Sequence, residues 1–238
     1  MCALGISPTP KSSTDVPVLY RDEHLIIVNK PAGVPAQPDP SGDPSVPDLL
    51  ETALGVKLGI PHRLDRPVSG TMLLTLNDSS LAAISGMFRS RDVRRTYWAI
   101  VEGEMPLSAE LRGVLQHDAR ARKARVTMDP LQDGSAMLRS RRLVQGDRYA
   151  LVEVEPEGGA FHQIRALLAA GGNPIKGDVK YGARRGEKDR SIALHSRRIV
   201  LHHPLLDLRV DVVAPTPERP IWNALCTKAD LRDVEPPT

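Results

Sequence analysis

P-H-R-L-D-R-P-V-S-G-T-M-L-L-T-L-N, residues Pro61 to Asn77, sets one acid between two arginines and then runs straight into an apolar segment. Thr71–Asn77 has the length and content of a buried strand, so the Asp65 segment is the loop that feeds it. An ionised carboxylate in a basic surround can serve as a nucleophile toward an anionic substrate. Taken alone, the same acid and its arginines describe a surface turn whose ion pair is worth little. The rest of the chain has to separate these readings.

Upstream, H-L-I-I-V-N-K (His24–Lys30) is rich in β-branched residues and ended by Pro31 and Gly33, a strand running into a loop. The proline-dense stretch from Pro31 to Pro47 reads as an extended connection, of a kind that lines functional sites. Downstream, Asp78 is placed to cap a helix with Leu81, Ile84 and Phe88 on one face. Thr96–Glu102 puts Tyr97, Ala99 and Val101 on one face and Trp98 and Ile100 on the other, so a central strand is expected. Tyr149–Glu155 alternates more cleanly, as does Leu206–Val212. Phe161–Ala170 reads as a short helix closed by a left-handed Gly171, with His162 and Arg165 one turn apart and Ile164, Leu167 and Leu168 turned inward. A last helix is expected over Pro217–Leu225, with Ile221, Trp222 and Leu225 inward. Strands outnumber helices without strict β-α alternation, which predicts an α+β fold on a mixed, mostly antiparallel sheet.

At 238 residues the chain is long enough for one sizeable folded unit. Its 32 basic and 29 acidic residues leave a formal charge of only +3, so local clusters matter more than the total. Four of them, at Arg89–Arg95, Ala119–Arg125, Arg139–Arg142 and Ala183–Arg190, suggest a surface that meets phosphates. Cys2 and Cys226 lie far apart with no zinc-like spacing, and neither a Walker A loop nor a dinucleotide fingerprint occurs. No metal or cofactor is expected. The start of the chain lacks a charged leader followed by an apolar core, and no run is long enough to span a bilayer. A soluble, cytoplasmic protein is expected, without membrane contact. It would have a flexible start over residues 1–15, a folded domain over 16–232 and a loose tail over 233–238.

Five blocks occur in order: V-L-Y-R-D-E-H-L-I-I-V-N-K-P-A-G, P-H-R-L-D-R-P-V-S-G, R-T-Y-W-A-I-V-E-G, F-H-Q-I-R-A-L-L-A-A-G-G-N-P-I-K-G-D-V-K-Y-G and I-A-L-H-S-R-R-I-V-L-H-H-P. Together they cover nearly the whole chain, and it resembles the RluA family of pseudouridine synthases, in particular members without an N-terminal S4 module. The H-R-L-D-R and H-Q-I-R blocks are the most diagnostic. The resemblance implies a pseudouridine synthase fold with flanking helices and a central RNA-binding cleft. It implies isomerisation of a uridine in rRNA or tRNA without a cofactor.

Carried over by the resemblance, Asp65 is the nucleophile, attacking either C6 of uracil or C1′ of ribose. Arg165 pairs with it. Tyr97 stacks on the target base and is a candidate for the proton transfer that follows. Arg63, Arg66, His62, Lys30, His162, Lys176 and Lys180 are candidate RNA contacts, chosen because phosphates and flipped bases call for cations and hydrogen-bonding side chains. Aromatics are only 3% of the chain, so the presence of Tyr97, Phe161 and Tyr181 in or beside these blocks carries weight. Two departures stand out. Val68 replaces a usual threonine, and Ala160 a common arginine. Leu111–Val144 matches only loosely and reads as a hairpin arm over the RNA. A monomer is expected. A catalytically silent RNA binder and a glycosidic hydrolase are the competing readings, the second wanting another carboxylate.

Overall fold

The computed structural model describes residues 16–127 and 135–229. The expected flexible start and loose tail lie outside these residues, as does Cys2.

Short β1 (Val18–Arg21) turns back on β2 (Leu25–Lys30) through Asp22, whose carboxylate accepts the N–H groups of His24 and Leu25 at 2.7 and 2.8 Å. A helix, α1 (Val46–Leu54), follows, then β3 (Ser69–Thr75), α2 (Asp78–Ser90) and β4 (Arg94–Glu102). Next come β5 (Ser108–Asp118), β6 (Lys123–Thr127), β7 (Ala136–Gln145) and β8 (Tyr149–Glu157). The chain continues through α3 (Gln163–Ala170), a single 3-10 turn at Val179–Tyr181, β9 (Leu194–His202), β10 (Arg209–Val213) and α4 (Pro220–Cys226). The strands form one sheet in the order β1-β2-β3-β9-β4-β8-β7-β5-β6, with β10 also on β9. Among the described residues only β3 and β9 run parallel, which makes the sheet mixed and mostly antiparallel as expected.

That one parallel contact sets the position of the site. β3 and β9 meet only where Ser69 and Gly70 face His195 and Ser196. The Asp65 loop ends at this junction, and β4 on the far side of β9 brings Tyr97 opposite Ser196. A Cβ on Gly70, whose φ is +111°, would stand 2.2 Å from the Ser196 carbonyl oxygen, so the strands can approach this closely only at a glycine. β4 is buried on both faces and central, as its two apolar faces predict. α3 packs beneath β5 to β8.

Several expected boundaries move for local reasons. Asn77, not Asp78, caps α2, its Oδ1 accepting from Ser80 N–H at 2.9 Å. His162 is left-handed, with φ of 56°, so α3 starts at Gln163 rather than Phe161. Gly171 keeps an ordinary φ of −74°, and the left-handed residue is Gly172. A turn with Asp207 left-handed delays the strand expected from Leu206 until Arg209. The final helix starts at Pro220 rather than Pro217. Within the loosely matching segment, β5 and β6 pair antiparallel as a hairpin. Among the described residues, no helix is long and apolar enough to cross a membrane.

Candidate active site

The Asp65 loop is held by its backbone. Val68 N–H donates to the Asp65 carbonyl at 3.0 Å, Gly33 N–H to the Arg66 carbonyl at 2.8 Å, and Ile192 N–H to the Pro67 carbonyl at 3.2 Å. The carboxylate is thus presented from a turn fixed on three sides, with its side chain 26% exposed. Arg165 reaches it from the first turn of α3, Nη1 donating to Asp65 Oδ2 at 2.9 Å. The rest of the guanidinium is bound behind. Nε and Nη2 donate to the two oxygens of Asp178 at 2.7 and 2.9 Å, and Asp178 is 2% exposed. Burial opposes the charge on Arg165, but the hydrogen bonds and attraction of Asp178, and then of Asp65, raise its pKa. Arg165 is therefore a fixed cation with one face to a buried acid and one N–H aimed at a partly exposed acid.

The α3 start is anchored by Gln163, which donates to the carbonyls of Met137 and Glu157 at 2.8 and 3.0 Å and accepts the Ala160 N–H at 2.9 Å. This is the local use of the H-Q-I-R sequence. Gln163 ties the helix to β7 and β8, Ile164 fills the core, and Arg165 points to the site.

Two cavities meet at the pair. The smaller, about 80 Å³, is lined by Asp65, Tyr97, His162, Arg165, Val68 and Leu194 among others. Tyr97 is 6% exposed and forms part of its wall. The larger, about 490 Å³, shares Arg63, Asp65, His162 and Arg165 and adds Arg66, Arg122, Phe161 and Lys180, with residues of the proline-rich loop opposite. A bigger cavity, about 760 Å³, lies around His195, Lys176 and Trp222 and contains none of Asp65, Tyr97 and Arg165. Its size does not make it the site, because Lys176 there is paired with Glu187 and the Asp65–Arg165 pair lies elsewhere.

Of the expected RNA contacts, Arg63, His162 and Lys180 face the larger cavity; Arg63 donates to Gln37 Oε1 at 3.1 Å and Lys180 to the Arg122 carbonyl at 3.1 Å. The other four are engaged within the protein. Lys30 is fully buried, its ammonium donating to the carbonyls of Pro31, Val34 and Arg66 at 2.9, 2.7 and 3.2 Å. It staples the proline-rich loop to the Asp65 loop and offers nothing to a phosphate. Burial brings its pKa down to about 7, with Asp65 opposing and Arg66 adding to the shift. His62 turns inward, stacks on Phe88 at 4.5 Å and accepts the Leu73 N–H on Nε2 at 2.9 Å. Burial, then Arg95, pushes its pKa down to about 3, so it is a neutral structural acceptor. Arg66 lines the cavity but is committed to the Gly33 carbonyl, Ser41 Oγ and the carboxylates of Asp43 and Asp39, bracing the proline-rich loop. Lys176 pairs with Glu187 in the separate cavity near His195.

Asp178 escaped the sequence reading, although it lies in the quoted G-D-V-K-Y-G block. Arg122 was visible only as part of a basic cluster. Among the described residues, no group of three or more His, Cys, Asp or Glu side chains is arranged to hold a metal ion.

A nucleophile candidate clamped by a buried arginine, beside an aromatic wall and a basic cavity, fits what the sequence comparison returns. The family described as RNA pseudouridylate synthase matches residues 24–170. The chain belongs to that family. As a pseudouridine synthase it is an isomerase. It is 31% identical over 227 residues to ribosomal large subunit pseudouridine synthase D of Xylella fastidiosa, covering 86% of this chain and 67% of that one. It is 30% identical over 240 residues to tRNA pseudouridine synthase C of Salmonella typhi, covering 92% of each. It spans 64 to 69% of the length of several other curated relatives. The solved structure of human RNA Pseudouridylate Synthase Domain Containing 1 matches with a TM-score of 0.75 at 23% identity, over 92% of this chain and 90% of that one, which shows the shared fold. Both positions expected from the resemblance to differ from the usual pattern line the smaller cavity of this pseudouridine synthase. Val68 is buried there, and Ala160 is exposed at its edge.

Proposed function

We propose that this chain converts specific uridines of structured RNA, ribosomal or transfer, to pseudouridine, with Asp65 as the nucleophile. The observation that carries the reading is the Arg165 clamp, which holds one carboxylate at the junction of an aromatic-walled cavity and a basic one. The Asp65 carboxylate attacks C6 of the uracil or C1′ of the ribose, and the N1–C1′ bond breaks. The ring then turns, C5 bonds to C1′, the bond from Asp65 to the substrate breaks to free the carboxylate, the C5 proton is lost and N1 takes up a proton. Atoms and electrons balance within the substrate, so the reaction calls on no redox group or second substrate.

Arg165 keeps the carboxylate aimed through a charge-assisted hydrogen bond. Tyr97 supplies a ring on which a flipped uracil stacks, and it is the candidate for the proton transfer that follows glycosidic cleavage. Arg63, Arg122 and Lys180 line the side from which an RNA backbone would approach. The hydrolase reading wants a second working carboxylate. The acid nearest the pair is Asp178, whose side chain is 1% exposed and bound by Arg165, so it is unable to exchange protons with a substrate. We take the protein to act as a monomer, because every residue of the proposed machinery comes from one chain.

The test is incubation of wild type and Asp65→Ala with total RNA from cells lacking the enzyme, followed by site-resolved pseudouridine mapping. New pseudouridine from wild type alone is expected and would also name the target. Product from both proteins overturns Asp65 as nucleophile, and RNA binding without product from either supports a silent binder.

A further inference from the structure

The clamp has a third member. Arginine is a donor at every nitrogen, and its Nη1 lies 2.9 Å from both Asp65 Oδ2 and His162 Nε2. Its two hydrogens are then shared between the two acceptors, and His162 Nε2 carries no proton. The His162 Nε2 and Asp65 Oδ2 atoms are 3.4 Å apart, two acceptors bridged by one N–H₂ group. A proton on Nε2 would set donor against donor at 2.9 Å. The single proton of a neutral ring therefore belongs on Nδ1, which is 2.9 Å from Tyr181 Oη. Neutrality agrees with the surroundings. Burial, with Arg165 and Lys180, outweighs Asp65 and Asp178 and pushes the His162 pKa down to about 4.

Tyr181 Oη has a second partner, the backbone N–H of Ala124 at 2.8 Å. Ala124 belongs to β6, on the return strand of the β5–β6 hairpin, whose tip carries the exposed Arg120 and Arg122. The hairpin is tied to the same spot three more times. Lys123 Nζ sits 4.8 Å from the Tyr181 ring centre, Lys180 donates to the Arg122 carbonyl at 3.1 Å, and Ala124, Ala166 and Tyr181 share a small core. Phe161 stacks on the His162 ring at 3.8 Å and fixes its plane, and His162 accepts a left-handed backbone to reach this place. An unbroken run of hydrogen bonds thus leads from a basic hairpin to the proposed nucleophile, through Ala124, Tyr181, His162 and Arg165.

We propose that Tyr181 and His162 are positioning residues for the isomerisation, holding Arg165 and Asp65 in register with the β5–β6 hairpin so that an RNA seated on the hairpin meets an aligned nucleophile. The proposal rests on the pseudouridine synthase reading with Asp65 as nucleophile. Tyr181→Phe removes only the oxygen that joins the hairpin to His162. The expected result is a single-turnover rate of pseudouridine formation at least about tenfold lower, with RNA Kd within about twofold of wild type, since a small misalignment of reacting groups is costly while the basic surface is untouched. A wild-type rate in Tyr181→Phe overturns the proposal, and Asp65→Ala measured beside it reports separately on the nucleophile. Nitrogen-15 NMR of the histidine rings supplies a readout that needs neither RNA nor a stable variant. His162 in the wild-type protein is expected as the Nδ1–H tautomer, and an Nε2–H or doubly protonated ring at pH 7 overturns the proposal.

Discussion

Arg165 does its work by being spent on one side. Two of its nitrogens are bonded to Asp178, and the planar fork leaves Nη1 facing the opposite way, toward Asp65. Asp178→Asn keeps the shape but leaves a buried cation without its counter-charge. Removing one partner of a buried pair costs about 3–5 kcal/mol, and a misaimed guanidinium should cost about 100-fold in rate. Urea unfolding and single-turnover assays are expected to show both losses. A variant that keeps wild-type stability and rate would mean Asp178 is not the anchor. Arg165→Lys keeps the charge but cannot make both the bidentate contact and the Asp65 bond, so about a 100-fold loss of rate is expected with RNA affinity retained. The meeting of Asp65 and Arg165 was legible only through the family resemblance of the H-R-L-D-R and H-Q-I-R blocks, since composition alone left each as an ordinary surface ion pair. Asp178 was not, because its partnership with a residue 13 positions earlier exists only once α3 and the following loop have packed together. Lys30 shows the opposite error. The near-continuous apolar run of β2 already implied a strand buried on both faces, and a lysine ending such a strand is more often folded into the carbonyls around it than presented to a ligand.

The elements most legible in the sequence were those with strong apolar patterning, β2, β3, β4 and β8, because burial on one or both faces imprints itself on composition. Helix α1 was hidden by its neighbours. Pro47 falls in its first turn, where proline is well tolerated, and Asp48 accepts the Ser45 N–H at 2.9 Å in a capping arrangement, yet the surrounding prolines read as an extended connection. The pairing of β3 with β9 was beyond local pattern, since it joins residues about 125 positions apart through a two-residue contact. Gly70 is the test of that contact. Gly70→Ala would drive a methyl into the Ser196 backbone at 2.2 Å, whereas Gly33→Ala, at a similar φ of +92°, meets nothing within 4 Å. Backbone strain alone should cost Gly33→Ala about 1–2 kcal/mol. Gly70→Ala should exceed that by about 2 kcal/mol or more, because the strands must also separate. Urea midpoints of the two variants check this, and equal midpoints would show that the β3–β9 approach is not tight.

At the scale of the whole molecule, the polar groups that the fold buries make its stability depend on pH in a definite direction. Burial pushes His62 down to about 3, with Arg95 adding, and His195 down to about 4, with Arg197 adding. Both rings are neutral in the folded protein at pH 5.5, while in the unfolded chain a histidine of ordinary pKa near 6.5 is mostly protonated. The unfolded state thus binds more protons below about pH 6.5, and stability is lost as pH falls through that value. Each ring should cost about 1.4 kcal/mol between pH 7.5 and 5.5. Lys30, brought down to about 7, acts in the same direction at the upper end of this window, because its folded form releases a proton that the unfolded form keeps. Depressed carboxylates do not interfere. Asp189, held near 2 chiefly by its hydrogen bond from Arg219, stabilises the fold above its unfolded value of 3.8 and loses that contribution only at lower pH. His62→Gln separates one ring from the rest. Glutamine can still accept the Leu73 N–H but does not titrate, so the variant's loss of unfolding free energy between pH 7.5 and 5.5 should be smaller than that of wild type by about 1.4 kcal/mol. Parallel pH profiles for the two proteins would mean that His62 is not held neutral by the fold.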